Sequence, residues 1–312
     1  MNKNKISIDI GYGQTKIKYK DKVVKFPTSI ALFTDTGIEY GDTNIYDFEG
    51  EKYLVGSDNV LNESFSTMNF EFIYKFAPLI IYHILKKFDL AGKPMPMQIN
   101  TGLALVDWTE SNLKKFKERL SDFEVNGDKI QLTTNLVPQG IGIYINYSKN
   151  GTKVKNENIN LSKMNVVIID IGFNTINLLH INRGKFQRPT SKSYPGHGVS
   201  SLIKPFKAYL ENKFKTSFTD QEAMQIAMDE YMMWNGSVQN EVIEHIKNEK
   251  RKFVLKLFKS VLQDELPLLG RAHMVLISGG GAYLLQNAKL PPHYVIDDKP
   301  MEFSNVKGYY LL

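Results

Sequence analysis

The 312-residue chain has no cysteine. That excludes disulfides, a catalytic thiol, thiolate zinc sites and cysteine-ligated iron–sulfur clusters, and it suits a reducing compartment. Long apolar runs are missing too. The longest, around Phe76–Leu85, is too short to span a bilayer. The first residues carry Lys3 and Lys5 but reach Asp9 before an apolar signal region develops, so a soluble, cytoplasmic chain without a membrane partner is expected. The six histidines, at positions 83, 180, 197, 245, 273 and 293, show no paired-ligand spacing, which disfavours a histidine-based metal site. Neither G-x-x-x-x-G-K-S/T nor G-x-G-x-x-G occurs, which disfavours P-loop and Rossmann sites. What remains is ordinary globular composition, 42% hydrophobic and 23% charged, over roughly two domains' worth of chain.

The net charge of +6 is concentrated. Residues 1–25 carry a net +5 and residues 247–259 another +5, so the remainder is net acidic. Two basic blocks do not make a general nucleic-acid footprint, and little direct nucleic-acid binding is expected. The 247–259 block interleaves its cations with Phe253, Val254, Leu257 and Phe258, the pattern of an amphipathic surface helix.

An internal echo organises the sequence. Ile8-Asp9-Ile10-Gly11-Tyr12 returns 161 positions later as Ile169-Asp170-Ile171-Gly172-Phe173. Each copy ends a β-branched run, Ile6–Ile10 or Val166–Ile171. A second strand follows each (Thr15–Tyr19, Thr175–Ile181), then a polar turn and a third (Val23–Phe26, Lys185–Arg188). A β-meander repeated half a chain apart predicts two similar α/β domains. Their predicted extents are 1–145, with an insertion at about 27–66 that includes a strand at Lys52–Gly56, and 146–294. Residues 295–312 are expected to pack back on the first domain.

Helical spacing predicts a helix over 70–88, stopped by Gly92-Lys93-Pro94, and further helices near 109–121, 139–147, 199–213, 219–233 and 238–264. Met224, Met228 and Met232 recur at helical spacing and read as core fillers. Strands are expected at Met97–Leu103, Ile130–Val137 and Met274–Ile277.

A strand that ends in Asp-x-Gly and turns tightly presents backbone N–H groups with little side chain in the way, an anion cradle suited to phosphates. Gly11 and Gly13 allow close approach, Thr15 offers a hydroxyl, and Lys16 offers a point charge for a terminal phosphate. Gly172, Asn174 and Thr175 would serve the same phosphates. Asp9 and Asp170 are placed to hold Mg²⁺ through its waters. Ser278-Gly279-Gly280-Gly281, after a buried strand, suits a turn packed against a base or ribose, and Gly196-His197-Gly198 is a further loop where backbone could lie close to a nucleotide.

These residues resemble the actin/Hsp70/sugar-kinase ATPase superfamily, and within it the bacterial actin-like proteins of the ParM (StbA) plasmid-partition type. The run Asp9-Ile-Gly11-Tyr12-Gly13-Gln14-Thr15-Lys16 matches the first phosphate motif, and Asp170-Ile-Gly172-Phe173-Asn174-Thr175 the second. Val275–Leu285 is similar to the adenosine motif, and Phe26-Pro27-Thr28, Tyr53–Gly56 and Thr101-Gly102-Leu103 look like ParM-type landmarks. The resemblance implies two RNase H-like domains around a nucleotide cleft that binds ATP, with GTP possible, and Mg²⁺. It also implies head-to-tail filaments, ATP hydrolysis, and plasmid or DNA segregation through a DNA-binding adaptor on centromere-like DNA.

Val137-Pro138-Gln139-Gly140 looks like the family's connecting motif, in which Gln139 would orient the attacking water. Two other readings stay open. One is a small-molecule kinase with Asp107 as base; the other is a nucleotide-binding switch with little turnover. An Hsp70-like chaperone is disfavoured because no chain is left for a peptide-binding domain.

Overall fold

Ile6, Ile8 and Ile10 alternate with Ser7 and Asp9, and both sets are buried. A strand in that position must be central, covered on both faces. It is β1 (Asn4–Ile10), and the computed structural model describes residues 4–34, 44–56, 69–92 and 97–312 around it. Strands β2 (Gln14–Tyr19) and β3 (Lys22–Pro27) follow as antiparallel neighbours. A small three-stranded sheet comes next, made of β4 (Ile30–Leu32), β5 (Ile45–Phe48) and β6 (Glu51–Val55). It occupies the predicted insertion, whose residues 35–43 and 57–66 lie outside the described residues, as do Lys93 and Pro94 of the predicted helix stop.

Helix α1 (Phe70–Lys87) begins where the Asn69 side chain accepts from the Phe72 N–H. Its Phe76, Ile80 and Ile84 belong to the same hydrophobic core as Ile6, Ile8 and Ile10 of β1. The chain continues through β7 (Met97–Leu103), α2 (Glu110–Ser121, capped by Thr109), β8 (Asp122–Val125), β9 (Asp128–Pro138), α3 (Ile141–Asn150) and α4 (Thr152–Asn156). The sheet order is β3-β2-β1-β7-β9-β8, with β1, β7 and β9 parallel.

The echo rebuilds this arrangement. Strands β10 (Asn165–Ile171), β11 (Thr175–Asn182) and β12 (Lys185–Phe186) form the second meander. The third strand is shorter than the predicted Lys185–Arg188, because Arg188–Thr190 coils into a 3₁₀ turn around Pro189, which has no N–H for a ladder. Beside β11 the edge is taken over by β13 (Lys192–Pro195).

Helices α5 (Ser200–Phe214) and α6 (Asp220–Asp229) follow. The helix expected over 219–233 stops early, with Glu230 in the left-handed region, and the chain turns back through Asn235-Gly236 as the hairpin β14 (Met233–Trp234) and β15 (Ser237–Val238). Met232 therefore leaves the helix. Ala223 and Ala227, with Met224 and Met228 only half-buried, form the core face of α6.

The long helix expected to 264 is α7 (Asn240–Lys256), which runs into a π turn at Leu257–Val261 and then α8 (Leu266–Arg271). Strands β16 (Met274–Ser278) and β17 (Tyr294–Ile296) complete a sheet ordered β12-β11-β10-β16-β17, with β10, β16 and β17 parallel. Lastly α9 (Ser304–Tyr310) packs on β1, β2, β7 and α3.

The chain forms two compact units, Met1–Asn160 with Asp298–Leu312, and Leu161–Asp297. Each has a sheet in which meander strands 3-2-1 are extended by two parallel strands. No helix among the described residues is long and apolar enough to cross a membrane.

Candidate functional site

In the first unit the carboxyl ends of β1, β7 and β9 lie side by side, the place where open α/β sheets bind ligands. Ile10 pairs with Thr15, so the four-residue turn Gly11–Gln14 caps the hairpin, with the Gly11 N–H donating to the carbonyls of Asp9 (3.1 Å) and Gln14 (3.3 Å). A Cβ on Gly11 would stand 2.9 Å from the Gln14 carbonyl and 3.2 Å from Lys16 Nζ. The turn is tight for that reason, and Gly11, Tyr12, Gly13 and Gln14 all keep some exposure.

Asp9 is 3% exposed. Its Oδ2 lies 3.9 Å from Lys16 Nζ and its Oδ1 accepts from Gln139 Nε2 at 3.0 Å. Asp9 and Lys16 are cross-strand partners, so the sheet register itself sets the lysine beside the carboxylate. Three of the predicted residues, Asp9, Lys16 and Gln139, therefore meet at one point.

Thr15 is placed differently from the sequence expectation. It is fully buried, and its hydroxyl pairs with that of Thr28 at 2.8 Å. Alternation along β2 turns Thr15 and Ile17 inward and Lys16 outward, so the hydroxyl braces the loop against Thr28. Thr28 also donates its N–H to the Gly13 carbonyl. Tyr12 folds against the core and donates its hydroxyl to Asp107 Oδ2 at 3.3 Å. Burial, then the Asp107 charge and the hydrogen bond, raise the Tyr12 pKa, and burial raises that of Asp107.

The second unit repeats the hairpin. Ile171 pairs with Ile176, so Gly172–Thr175 is a turn of the same length, with the Gly172 N–H on the Thr175 carbonyl at 2.9 Å. Asp170 is 5% exposed, but its cross-strand partner is the neutral Asn177. The carbonyls of Gly172, Phe173 and Asn174 accept from the N–H groups of Val199, Ser200 and Gly198 in turn. Asn174 and Thr175 are buried, while Gly172 and Phe173 are partly exposed.

A Cβ on Gly198 would stand 2.5 Å from the Phe173 carbonyl, so the close approach of loop and helix α5 requires glycine there. Gly196, the residue singled out from the sequence, has open space around it. The second glycine of Pro195-Gly-His-Gly198 was the available signal for the tighter contact.

The third cluster follows β16. Gly279 has a φ of 87°, and a side chain there would collide with the Asp170 carboxylate and the Ile171 carbonyl. Gly281 is similarly blocked by Ile171 and Val199, and Gly280 is partly exposed. The chain continues as a 3₁₀ turn, Gly280–Leu285. Asp297, just beyond β17, was not anticipated. It is 5% exposed and accepts from Ser278 Oγ at 2.6 Å, putting a second buried carboxyl at these strand ends. Its only sequence signal is an Ile-Asp pair after an apolar run, as in β10.

A surface cleft lined by Asp47, Glu49, Arg119, Asp122 and Glu124 lies by the start of β9, the opposite strand end from Gln139.

The family model for the N-terminal domain of actin-like proteins matches residues 7–142, and that for the C-terminal domain of archaeal MreB-like actin homologues matches residues 168–289. No curated protein matches by sequence. Among solved structures, the archaeal actin homolog Ta0583 superposes with a TM-score of 0.77 at 21% identity, covering 98% of each chain. A 15-stranded ParM filament from Clostridium botulinum gives 0.73 at 20%, covering 100% of this chain and 99% of that one. Bacillus thuringiensis ParM with AMPPNP gives 0.68 at 15%, with 99% and 98% covered. The archaeal homolog has also been solved in complex with ADP. The fold is thus the actin-like fold.

Proposed function

We propose that this chain, which belongs to the actin-like proteins, binds Mg-ATP, hydrolyses it and assembles head to tail into filaments. The observation that carries the reading is the pair of hairpins of equal length, each capping a central strand whose next-to-last residue is a buried aspartate. Gln139 is hydrogen-bonded to one of those aspartates. Filament assembly and adenine-nucleotide binding are supported by the ParM filament and by the ADP and AMPPNP complexes of similarly folded proteins. A cytoplasmic role in segregating plasmid or other DNA through a DNA-binding adaptor is the finer form of the same proposal.

The residues fit the nucleotide and its metal. The partly exposed turns at Gly11–Gln14 and Gly172-Phe173 would offer backbone N–H donors for phosphate oxygens, with no Cβ at Gly11 or Gly172 in the way. Among the described residues no group of three or more His, Asp or Glu could hold a metal directly. Mg²⁺ would therefore be held through water by Asp9 and Asp170, together with the phosphates. When bound it would neutralise charge on the transferring phosphoryl group.

Lys16 would add a fixed positive charge at the phosphates. Gln139, whose N–H₂ end donates to Asp9, would orient the attacking water. A glutamine is no effective general base, so catalysis would rest on positioning and charge neutralisation. Asp107, the alternative base for a small-molecule kinase, instead receives the Tyr12 hydroxyl.

High-speed pelleting and light scattering with Mg-ATP, Mg-ADP or no nucleotide test the proposal. Nucleotide-dependent filaments with phosphate release are expected. Phosphate transfer to a sugar or acid, without pelleting at tens of micromolar, would turn the reading toward the kinase.

A further inference from the structure

Gln139 sits in a loop, yet both peptide planes flanking it are held. On its N-terminal side, the Gln139 N–H donates to the Leu103 carbonyl of β7 at 2.8 Å. On its C-terminal side, the Gly140 N–H donates to Asn305 Oδ1 of α9 at 2.9 Å, a buried contact across 165 residues. At the tip, the side chain donates to Asp9 of β1. Two of these anchors belong to the sheet. The third comes from a helix that touches the loop only because the last residues of the chain return to this unit.

The details make that third anchor specific. Gly140 is left-handed, with a φ of 97°, and precedes α3 with no side-chain cap of its own. Its N–H belongs to the first turn, where donors lack intrahelical partners. Asn305 is 5% exposed and accepts from it. The helices approach so closely that a Cβ on Gly142 or Gly308 would run into the partner backbone, so Asn305 has little room to shift. Asn146 of α3 adds a buried hydrogen bond to Ser304 of α9 at 3.1 Å.

We propose that Asn305 is a positioning residue for Gln139. By holding the Gly140 amide it sets the peptide plane from which Gln139 reaches Asp9, so the C-terminal helix governs hydrolysis without touching nucleotide. This rests on the reading of Gln139 given above.

The test compares N305A, N305D and Q139A with the double variant Q139A/N305A in the full chain. N305D keeps an oxygen able to accept from the Gly140 amide, next to the positive end of α3. N305A is expected to lower kcat for ATP about tenfold while nucleotide Kd stays within about twofold. N305D should recover most of the loss. In the Q139A background N305A should lower kcat no further, since the residue it positions is gone.

A second readout needs no activity. Amide exchange at Gly140 should accelerate in N305A and stay slow in N305D. If N305A does not fold, N305S, polar but too short to reach, takes its place. Unchanged kcat, losses that add to those of Q139A, or unaltered exchange at Gly140 would each overturn the proposal. If Q139A itself hydrolyses ATP normally, the assignment of Gln139 fails, and the exchange data alone decide whether Asn305 holds the loop.

Discussion

The two hairpins share length, register and position, yet they treat their aspartates differently. Asp9 has Lys16 across the strand and Gln139 on its other oxygen. Asp170 has Asn177 across the strand and the bare backbone of Gly279 against its carboxylate. The first aspartate thus has a cation and an amide beside it, whereas the second has a neutral Asn177 at the matching register. Duplication supplied the same turn twice. The residue at that register, Lys16 or Asn177, is where the two hairpins differ most in charge.

Removing the carboxylate of the second hairpin should have the largest consequence. Asp170→Ala is expected to abolish hydrolysis, a drop of about 10³-fold or more, measured as phosphate release at saturating Mg-ATP. Near-normal turnover would sink the site assignment. Next comes the backbone against which that carboxylate lies. Gly279 has a φ of 87° and ψ of 170°, a region that is essentially glycine-only, so Gly279→Ala should cost on the order of 3 kcal/mol. Gly11→Ala, at an ordinary negative φ, meets the Gln14 carbonyl at 2.9 Å and the Lys16 ammonium at 3.2 Å and should cost less, about 1 kcal/mol. Equal melting temperatures for the two variants would erase the distinction between the hairpins.

Lys16→Asn makes the first hairpin resemble the second. It should weaken ATP binding about tenfold, or about 1.4 kcal/mol, and lower the melting temperature as well, because buried Asp9 loses the cation beside it. Titration calorimetry would show this, and unchanged affinity would remove Lys16 from the phosphate site. The smallest effect belongs to Thr15→Val, which orphans the buried Thr28 hydroxyl at a cost of about 1 kcal/mol. Adding Thr28→Val should return part of that stability. Weaker nucleotide binding by Thr15→Val at unchanged stability would restore Thr15 as a ligand.

Much of this was legible beforehand. The meanders, the buried strands and the Asp-x-Gly turns follow from alternation and turn chemistry, which act over a few residues. The misplaced features have local causes too: Pro189 shortens β12, and Asn235-Gly236 makes a hairpin where helical spacing suggested more helix. The site was legible wherever a register placed it, as with Asp9 and Lys16. It was illegible where an inward or outward choice decided the role, as with Thr15, and where glycine was needed for a contact distant in sequence, as with Gly198.

Sequence alone determined that two central strands run through an aspartate into tight, glycine-bearing turns, because strand periodicity and glycine's conformational freedom are properties of neighbouring residues. Tertiary structure decided what those turns meet. Gln139 reaches Asp9 across 130 residues, and Asn305 reaches Gly140 across 165. Such pairings exist only once sheets and helices have stacked, since the burial that brings them together is a sum over the whole unit and leaves no mark at the residues themselves.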